Sequence, residues 1–426
     1  MKIKNNTTKT EVLAGVTIFI ASIYIIMTNS LILSDAGISQ DSAMIATILT
    51  CAFSTILMGI ISDAPLIIVP GMGINSLFTY TIVNSMNLTW QEALGAVFIS
   101  GIIFTIIASS KITNILMNSI PNNLKHSITV GVGFMIFFIG LQKSGIVVSN
   151  EATLVSLGDI SNKETILSII TLFIIMILSL KNIKGSLLIS IIVGTVFSFI
   201  MGISSFSDIS MSFVDFNDFK EVFLAMSFEN IFTFPFIVSV FSITIVIIFE
   251  NMGLLYGQLD ALNSTDKFDK SFKTAGISNI LAGIIGTSPT IVAAENFSGI
   301  ASGAKGRITS ITAGILFLLS IFLIPILKLI PNGVISAVLI YIGILMIETF
   351  FEITNIDKIE IISVIFIIAL IPFTYNIVNG ISVGFIVYTI LKVFTNSYKE
   401  VSPAMYILTG LFIINFILNI SMGIIH

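Results

Sequence analysis

The stretch Gly286 to Arg307, GTSPTIVAAENFSGIASGAKGR, decides how the chain is read. It opens on Gly-Thr-Ser-Pro and runs through β-branched Thr290, Ile291 and Val292. It then sets Glu295-Asn296 beside Ser298-Gly299 and closes, through small residues, on the only arginine of the sequence. No continuous lipid-facing helix is built this way. A carboxylate at membrane depth costs about 2.5–3.5 kcal/mol at a helix centre on insertion scales and marks a function by default. Irregular backbone at that depth is tolerated only where it lines a cavity or is buried in protein.

Outward from this stretch the chain is oily almost end to end. Mean hydropathy is +1.08 and 10% of the 426 residues are charged, which excludes an ordinary soluble domain. Apolar segments of about 17–25 residues, enough to span a bilayer, recur along nearly the whole length. One polytopic all-α membrane domain is expected. The first apolar run, Val12 to Leu33, is too long for a signal-peptide core and is read as the first span. Cys51 is the one cysteine, so no intrachain disulfide forms, and His126 and His426 stand too far apart to suggest a metal site. No nucleotide-binding, nucleic-acid-binding or catalytic motif is present. A membrane enzyme would need a nucleophile–base pair or metal cluster at depth, and none is found.

Fourteen spans are predicted, the last ending near Val393. The third, Pro65 onward (PLIIVPGMGINSLFTYTIV), is the counterpart of the opening stretch: a β-branched piece, a break at Pro70-Gly71, then a half-helix from Asn75-Ser76. Residues 66–71 and 287–293 are expected to be short extended segments lying together. Residues 204–229 change character, with Asp208, Asp215, Asp218, Glu221 and Glu229 against Lys220, and are read as an external loop with an amphipathic piece between two halves. Residues 401–425 are apolar, and span, surface helix and hairpin all remain open for them. With the N-terminus in the cytoplasm, this count leaves only Lys143, Lys163, Lys220 and Lys328 outside and the rest of the 19 basic residues inside, as the positive-inside rule requires.

The halves repeat. Ile120-Pro121-Asn122 opens the fifth span as Ile330-Pro331-Asn332 opens the twelfth. Pro70-Gly71 matches Pro289, and Thr28-Asn29 matches Glu250-Asn251. Seven spans per half is odd, so the halves have opposite topology. Inverted repeats with one discontinuous segment each are the signature of a secondary transporter.

Glu250 and Glu295 are the two acids left deep inside apolar segments. Neither has a basic partner in its own span, so both are expected to face a cavity and bind polar groups of a substrate. A carboxyl removed from water without a cation favours its neutral form, which suits either glutamate to carrying a proton. The half-helices are expected to present free backbone N–H groups near Asn75-Ser76 and near Glu295-Asn296. Carboxylates accept from N–H groups, and helix N-termini donate to carbonyls or ring nitrogens. A flat ligand edge with alternating donors and acceptors fits this set, and a nucleobase has one. Phe78, Phe249 and Phe297 are candidates to stack on it. Two buried acids with no buried base disfavour an anion carrier.

Four stretches carry a family resemblance. APLIIVPGMGINSLFTYTIV, LTWQEALGAVFISGIIF and SIPNNLKHSITVGVGFMIFFIGLQKSGIVV, with LIPFTYNIVNGISVGFIVYTIL near the C-terminus, resemble the nucleobase:cation symporter-2 family, in particular its adenine/guanine/hypoxanthine branch. The resemblance covers most of residues 10–395. It implies the fourteen-span uracil-permease fold as seven-plus-seven inverted repeats. It implies a core domain over 12–110 and 230–330, a gate domain over 120–203 and 331–396, and a C-terminal apolar segment over 397–426. It implies proton-coupled uptake of a nucleobase, a purine base in this branch, with the proton as coupling ion and no cofactor. The Ile-, Asn- and Lys-rich usage points to an AT-rich bacterial genome and hence to the plasma (bacterial inner) membrane, and whether the chain forms a homodimer stays open. Asn75 matches the asparagine of the family's GMGxN motif, Glu250 the acidic residue of the eighth span and Glu295 the glutamate of the tenth. Phe249-Glu250-Asn251 departs from the branch's usual Phe-Asp-Thr. The Glu295-Asn296 pair is closer to the uracil/xanthine branch, which makes a uracil or xanthine symporter the alternative.

Overall fold

The computed structural model describes residues 2–110, 120–181, 183, 185–204, 219–354 and 356–421. Nearly all the regular structure is helical. In chain order the first half holds α1 (Lys2–Ser22), α2 (Tyr24–Ser34), α3 (Gln40–Leu57), strand β1 (Ile68–Pro70), α4 (Met72–Ser76), α5 (Trp90–Ala108), α6 (Asn122–Lys143), the hairpin β2 (Val147–Asn150) and β3 (Leu154–Leu157), α7 (Lys163–Leu180) and α8 (Ser186–Ile200). The second holds α9 (Phe234–Ala261), α10 (Phe268–Ile285), strand β4 (Thr290–Val292), α11 (Asn296–Ala301), α12 (Arg307–Leu319), α13 (Ile324–Leu327), α14 (Asn332–Glu348), α15 (Lys358–Thr374), α16 (Ile377–Phe394) and α17 (Pro403–Ser421). Nine described helical segments are long and apolar enough to cross a membrane, and Ser186–Ile200 and Pro403–Ile414 are shorter apolar helices. Each of the fourteen predicted segments appears at its predicted place as a helix or as a strand joined to a helix.

Both discontinuous segments take the expected form. β1 and β4 pair antiparallel, with Ile68 opposite Val292, Val69 opposite Ile291 and Pro70 opposite Thr290, and all six residues are buried. Antiparallel pairing is what two segments of opposite topology require when they meet end to end. Pro70 closes the first strand, where its missing N–H removes a rung from neither helix nor sheet. The helix restarts at Met72, one turn earlier than predicted, because Gly71 is already extended and Asn75 N–H reaches back to its carbonyl at 2.8 Å. A π-helical segment, Leu77–Ser85, continues it.

The chain forms two compact units, Met1–Ser109 with Ile139–Tyr341, and Ser110–Phe138 with Ile342–His426. The first contains the strand crossing. There α5 lies along α10, with Gly101 and Gly276 permitting close backbone approach, and α3 runs beside β1. On the predicted outer side, Asp35 at the end of α2 accepts from Tyr80 at 2.6 Å and pairs with Lys143 at 2.7 Å. Leu224 N–H and Ser227 N–H bond to Ile284 and Gln91 carbonyls, so residues 219–229 fold onto this unit. Most of the predicted amphipathic piece lies outside the described residues.

In the second unit α15 and α16 pack as an antiparallel pair, and α17 lies on α16 through Thr389–Thr409 and Phe385–Phe412. The last apolar stretch is therefore one helix to Ser421, not a hairpin. Lys392, 4% exposed, bridges Asp357 and Glu400 at 2.6 Å each. Partial burial disfavours the Asp357 carboxylate. Hydrogen bonds from Lys392 and from the N–H groups of Glu360 and Ile359 outweigh that and hold its pKa below the usual range.

Candidate functional site

The site grows out of the way buried amide side chains hold two short strands. A three-residue strand cannot satisfy its own backbone, and an unpaired buried N–H costs about 1–3 kcal/mol. Here side chains from neighbouring helices fill the open positions. Thr290 N–H donates to Asn279 Oδ1 of α10 at 2.9 Å, and Asn279 Nδ2 returns a bond to the Thr290 carbonyl. Val292 N–H donates to Asn251 Oδ1 of α9 at 2.9 Å. Ile68 N–H donates to Thr55 of α3 at 3.1 Å. Ile67 N–H donates to Asn296 Oδ1 at 2.8 Å, while Asn296 Nδ2 donates to the Ile67 carbonyl and to Gln258 Oε1. Gln258 Nε2 donates to the Ala293 carbonyl at 2.7 Å. The crossing is thus a rigid platform with little left to relax.

Two faces of α9 divide the work. Asn251, Leu255 and Gln258 are buried on the strand-facing side. Glu250, Gly253 and Gly257, spaced three and four apart, share the other. A Cβ added at Gly253 would meet no atom within 4 Å, so this face borders open space. Glu250 is half-buried there and has no hydrogen bond or ion pair among the described residues. Phe249 beside it is also half-buried.

Glu295 caps α11, directly after the strand crossing. Its Oε1 accepts from the Tyr24 hydroxyl at 2.5 Å. Tyr24 is 5% exposed and is the first residue of α2, just past a break at Ile23. Ser22 Oγ bonds back to the Ile18 carbonyl at that break, a pairing that bends helices. Gly299 brings α11 tightly against α1, since a Cβ there would lie 2.2 Å from Ile18 Cδ1. That close approach puts Tyr24 within reach of Glu295.

The first half-helix supplies donors. Met72, Gly73 and Ile74 N–H groups have no protein acceptor among the described residues, and no side chain caps the helix. Asn75 is fully buried, and its Oδ1 accepts from Ser288 Oγ at 2.6 Å. Ser288 also lies 3.0 Å from Asn29 Oδ1, and Asn29 Nδ2 donates to Thr47 and Thr287. Asn75 Nδ2 faces only Met72 Sδ, at 4.0 Å, so its donor end is the uncommitted one. Ser76 Oγ donates to the Met72 carbonyl at 3.1 Å.

The second half-helix departs from expectation. Asn296, Phe297 and Ser298 N–H groups turn back to the carbonyls of Ala293, Ala294 and Glu295 at 3.3, 3.2 and 2.9 Å. A tight i→i−3 entry consumes the donors that an abrupt restart would leave free. Of the two helix starts, the first is therefore the one that leaves its opening N–H groups free.

The structure brings Glu295 to Tyr24 and Asn75 to Ser288. Asn296 is turned wholly into the clasp on Ile67 and Gln258. Phe78 is fully buried, while Phe297 is 46% exposed. Sequence reasoning passed over Tyr24, Ser288, Gln258 and Asn279. The amides among them carried a signal, since uncompensated buried amides are costly and so mark designed contacts. Tyr24 carried none, because its partner is 271 residues away. Among the described residues no group of three or more His, Cys, Asp or Glu side chains is placed to hold a metal.

The model of the Permease family (xanthine/uracil permeases) matches residues 9–383. Nucleobase transporter PlAzg2 of Paenibacillus larvae is 38% identical, over 89% of this chain and 76% of its own. Adenine permease AdeP of Escherichia coli is 32% identical over 96% and 93%, and guanine/hypoxanthine permease PbuG of Bacillus subtilis 32% over 96% of each. Among solved structures the transmembrane domain of the cyanobacterial bicarbonate transporter BicA shares the fold, with a TM-score of 0.65, 14% identity, and coverage of 89% of this chain and 97% of that one. This chain belongs to the xanthine/uracil permease family, the nucleobase:cation symporter-2 transporters its motifs resemble, and is a multi-pass membrane permease rather than an enzyme.

Proposed function

We propose that this chain imports purine bases (adenine, guanine or hypoxanthine) together with protons across the plasma membrane, with its N-terminus in the cytoplasm. One observation carries the reading. Beside the strand crossing stand two carboxylates without a cation: Glu250, unpartnered among the described residues on an open face of α9, and Glu295, which accepts from the Tyr24 hydroxyl and from its own backbone N–H. Carboxylates without a cation at membrane depth need a proton or a donor-bearing ligand. A purine supplies N–H donors for Glu250 or Glu295. Its ring nitrogens and carbonyl suit the N–H groups of Met72, Gly73 and Ile74 and the free amide end of Asn75. Glu250, with no donor of its own, is the proton carrier. The names of the relatives, adenine and guanine/hypoxanthine permeases among them, support the same class of substrate. In this reading the spans of 12–110 and 230–330 hold the base, and those of 120–203 and 331–396 gate it.

The Glu295-Asn296 pair favours a uracil or xanthine carrier as the second reading. Asn296 spends both ends of its amide on Ile67 and Gln258, so the pair serves the scaffold and says little about the base. The deciding measurement is uptake of labelled adenine, guanine, hypoxanthine, xanthine and uracil in cells lacking their own carriers, with and without a protonophore. Purine uptake that collapses with the proton gradient is expected. Uptake of uracil alone, or uptake driven by sodium and indifferent to the proton gradient, refutes the proposal.

A further inference from the structure

Glu295 does not face a ligand with both oxygens equally free. The Tyr24 hydroxyl stands 2.5 Å from Oε1, and apart from the backbone N–H of Glu295 itself no other donor among the described residues engages the carboxylate. Tyr24 is not easily displaced. It is 5% exposed, its carbonyl accepts from Thr28 Oγ1, and the contact of Gly299 with Ile18 clamps α11 against the helix that leads into it. Moving the ring aside would orphan a buried hydroxyl, which is itself costly. We propose that Tyr24 is a specificity-determining positioning residue: by occupying Oε1 it leaves Glu295 to receive a base through Oε2, as a single-acceptor contact.

The consequence is chemical. A carboxylate with both oxygens open pairs best with two adjacent, parallel N–H donors, the bidentate geometry that makes such pairs strong. Guanine offers that edge, a ring N–H beside an exocyclic amine. Hypoxanthine offers the same ring N–H with hydrogen in place of the amine. With Oε1 taken, the second donor of guanine meets an oxygen already engaged and a hydroxyl in its path. Tyr24 therefore biases the site toward edges with one donor. This assignment rests on the purine reading above.

The test is a kinetic comparison of Tyr24→Phe with the wild type, using labelled hypoxanthine and guanine in the intact carrier. The phenylalanine keeps the ring and frees Oε1. One added hydrogen bond to a charged group corresponds to a factor of about ten or more. The KM for guanine relative to that for hypoxanthine is expected to fall by about tenfold or more. A role in folding alone lowers the maximal rates for both bases and leaves this ratio where it was. An unchanged ratio overturns the assignment. Should Tyr24→Phe not reach the membrane, the wild type decides: a lower KM for hypoxanthine than for guanine is expected, and a lower KM for guanine overturns it. A wild type that takes up neither base overturns the purine reading, whereas uptake of both with an unmoved ratio overturns the role of Tyr24 only.

Discussion

Replacing Asn296 by alanine is expected to unlock the strand crossing, and the size of the effect follows from its partners. Asn296 Oδ1 is the acceptor for Ile67 N–H, and its Nδ2 is the donor to Gln258 Oε1. The Ile67 carbonyl keeps a bond from Ala293 N–H at 3.1 Å, so the substitution orphans two buried groups rather than three. At about 1–3 kcal/mol each, the cost is about 2–6 kcal/mol. At ~1.4 kcal/mol per decade this multiplies the open population by roughly thirty to twenty thousand. The chain carries its own reporter. Cys51 is the only cysteine and is fully buried. It sits on α3 one turn before Thr55, which bonds Ile68 of β1. Where opening and closing are fast, alkylation of Cys51 by a membrane-permeant maleimide follows the open population. Asn296→Ala is expected to raise that rate by at least thirtyfold and to abolish uptake. Glu295→Gln, which touches no strand backbone, is expected to leave the rate unchanged. Wild-type labelling of Cys51 in an Asn296→Ala carrier that no longer transports would refute the clasp and make Asn296 a contact to the base.

Glu295→Gln itself is expected to abolish useful purine uptake with normal membrane insertion, because removing one charged partner of a buried hydrogen-bonded set costs about 2–5 kcal/mol; near-normal uptake removes Glu295 from the site. Glu250→Gln is expected to retain base exchange across the membrane while losing accumulation driven by an inward proton gradient, and wild-type sensitivity of this variant to a protonophore would move the proton to another group. Gly299→Ala is expected to impair uptake, since the new Cβ would meet Ile18 at 2.2 Å and overpacking costs about 1–3 kcal/mol. Adding Ile18→Ala should restore much of that loss, and a double variant no better than the single one argues against the clamp.

Much of the architecture was legible in the residues alone. The Pro70-Gly71 and Pro289 interruptions, flanked by β-branched residues, marked both strands before any coordinates, because proline and glycine act on the backbone where they stand. Glu250 and Glu295 declared themselves through the cost of a charge in an apolar span. The matching Pro-Asn openings at 120–122 and 330–332 exposed the repeat. All of these are local signals, readable within one or two turns of chain. What lay beyond reach was which polar side chains serve the scaffold and which face the ligand. Asn75 and Asn296 look alike in sequence, each following a break and opening a half-helix. Only the tertiary structure spends Asn296 on Ile67 and Gln258 and leaves the amide donor of Asn75 uncommitted. It alone sets Tyr24 against Glu295 across 271 residues, and it alone closes the N–H groups of the second half-helix while leaving those of Met72, Gly73 and Ile74 open. Sequence determines where a chain must break and which charges cannot lie in lipid, since those are properties of single residues. The hydrogen-bond partner of a buried polar group depends on distance and direction in space, and that is settled only when helices far apart in the chain pack together.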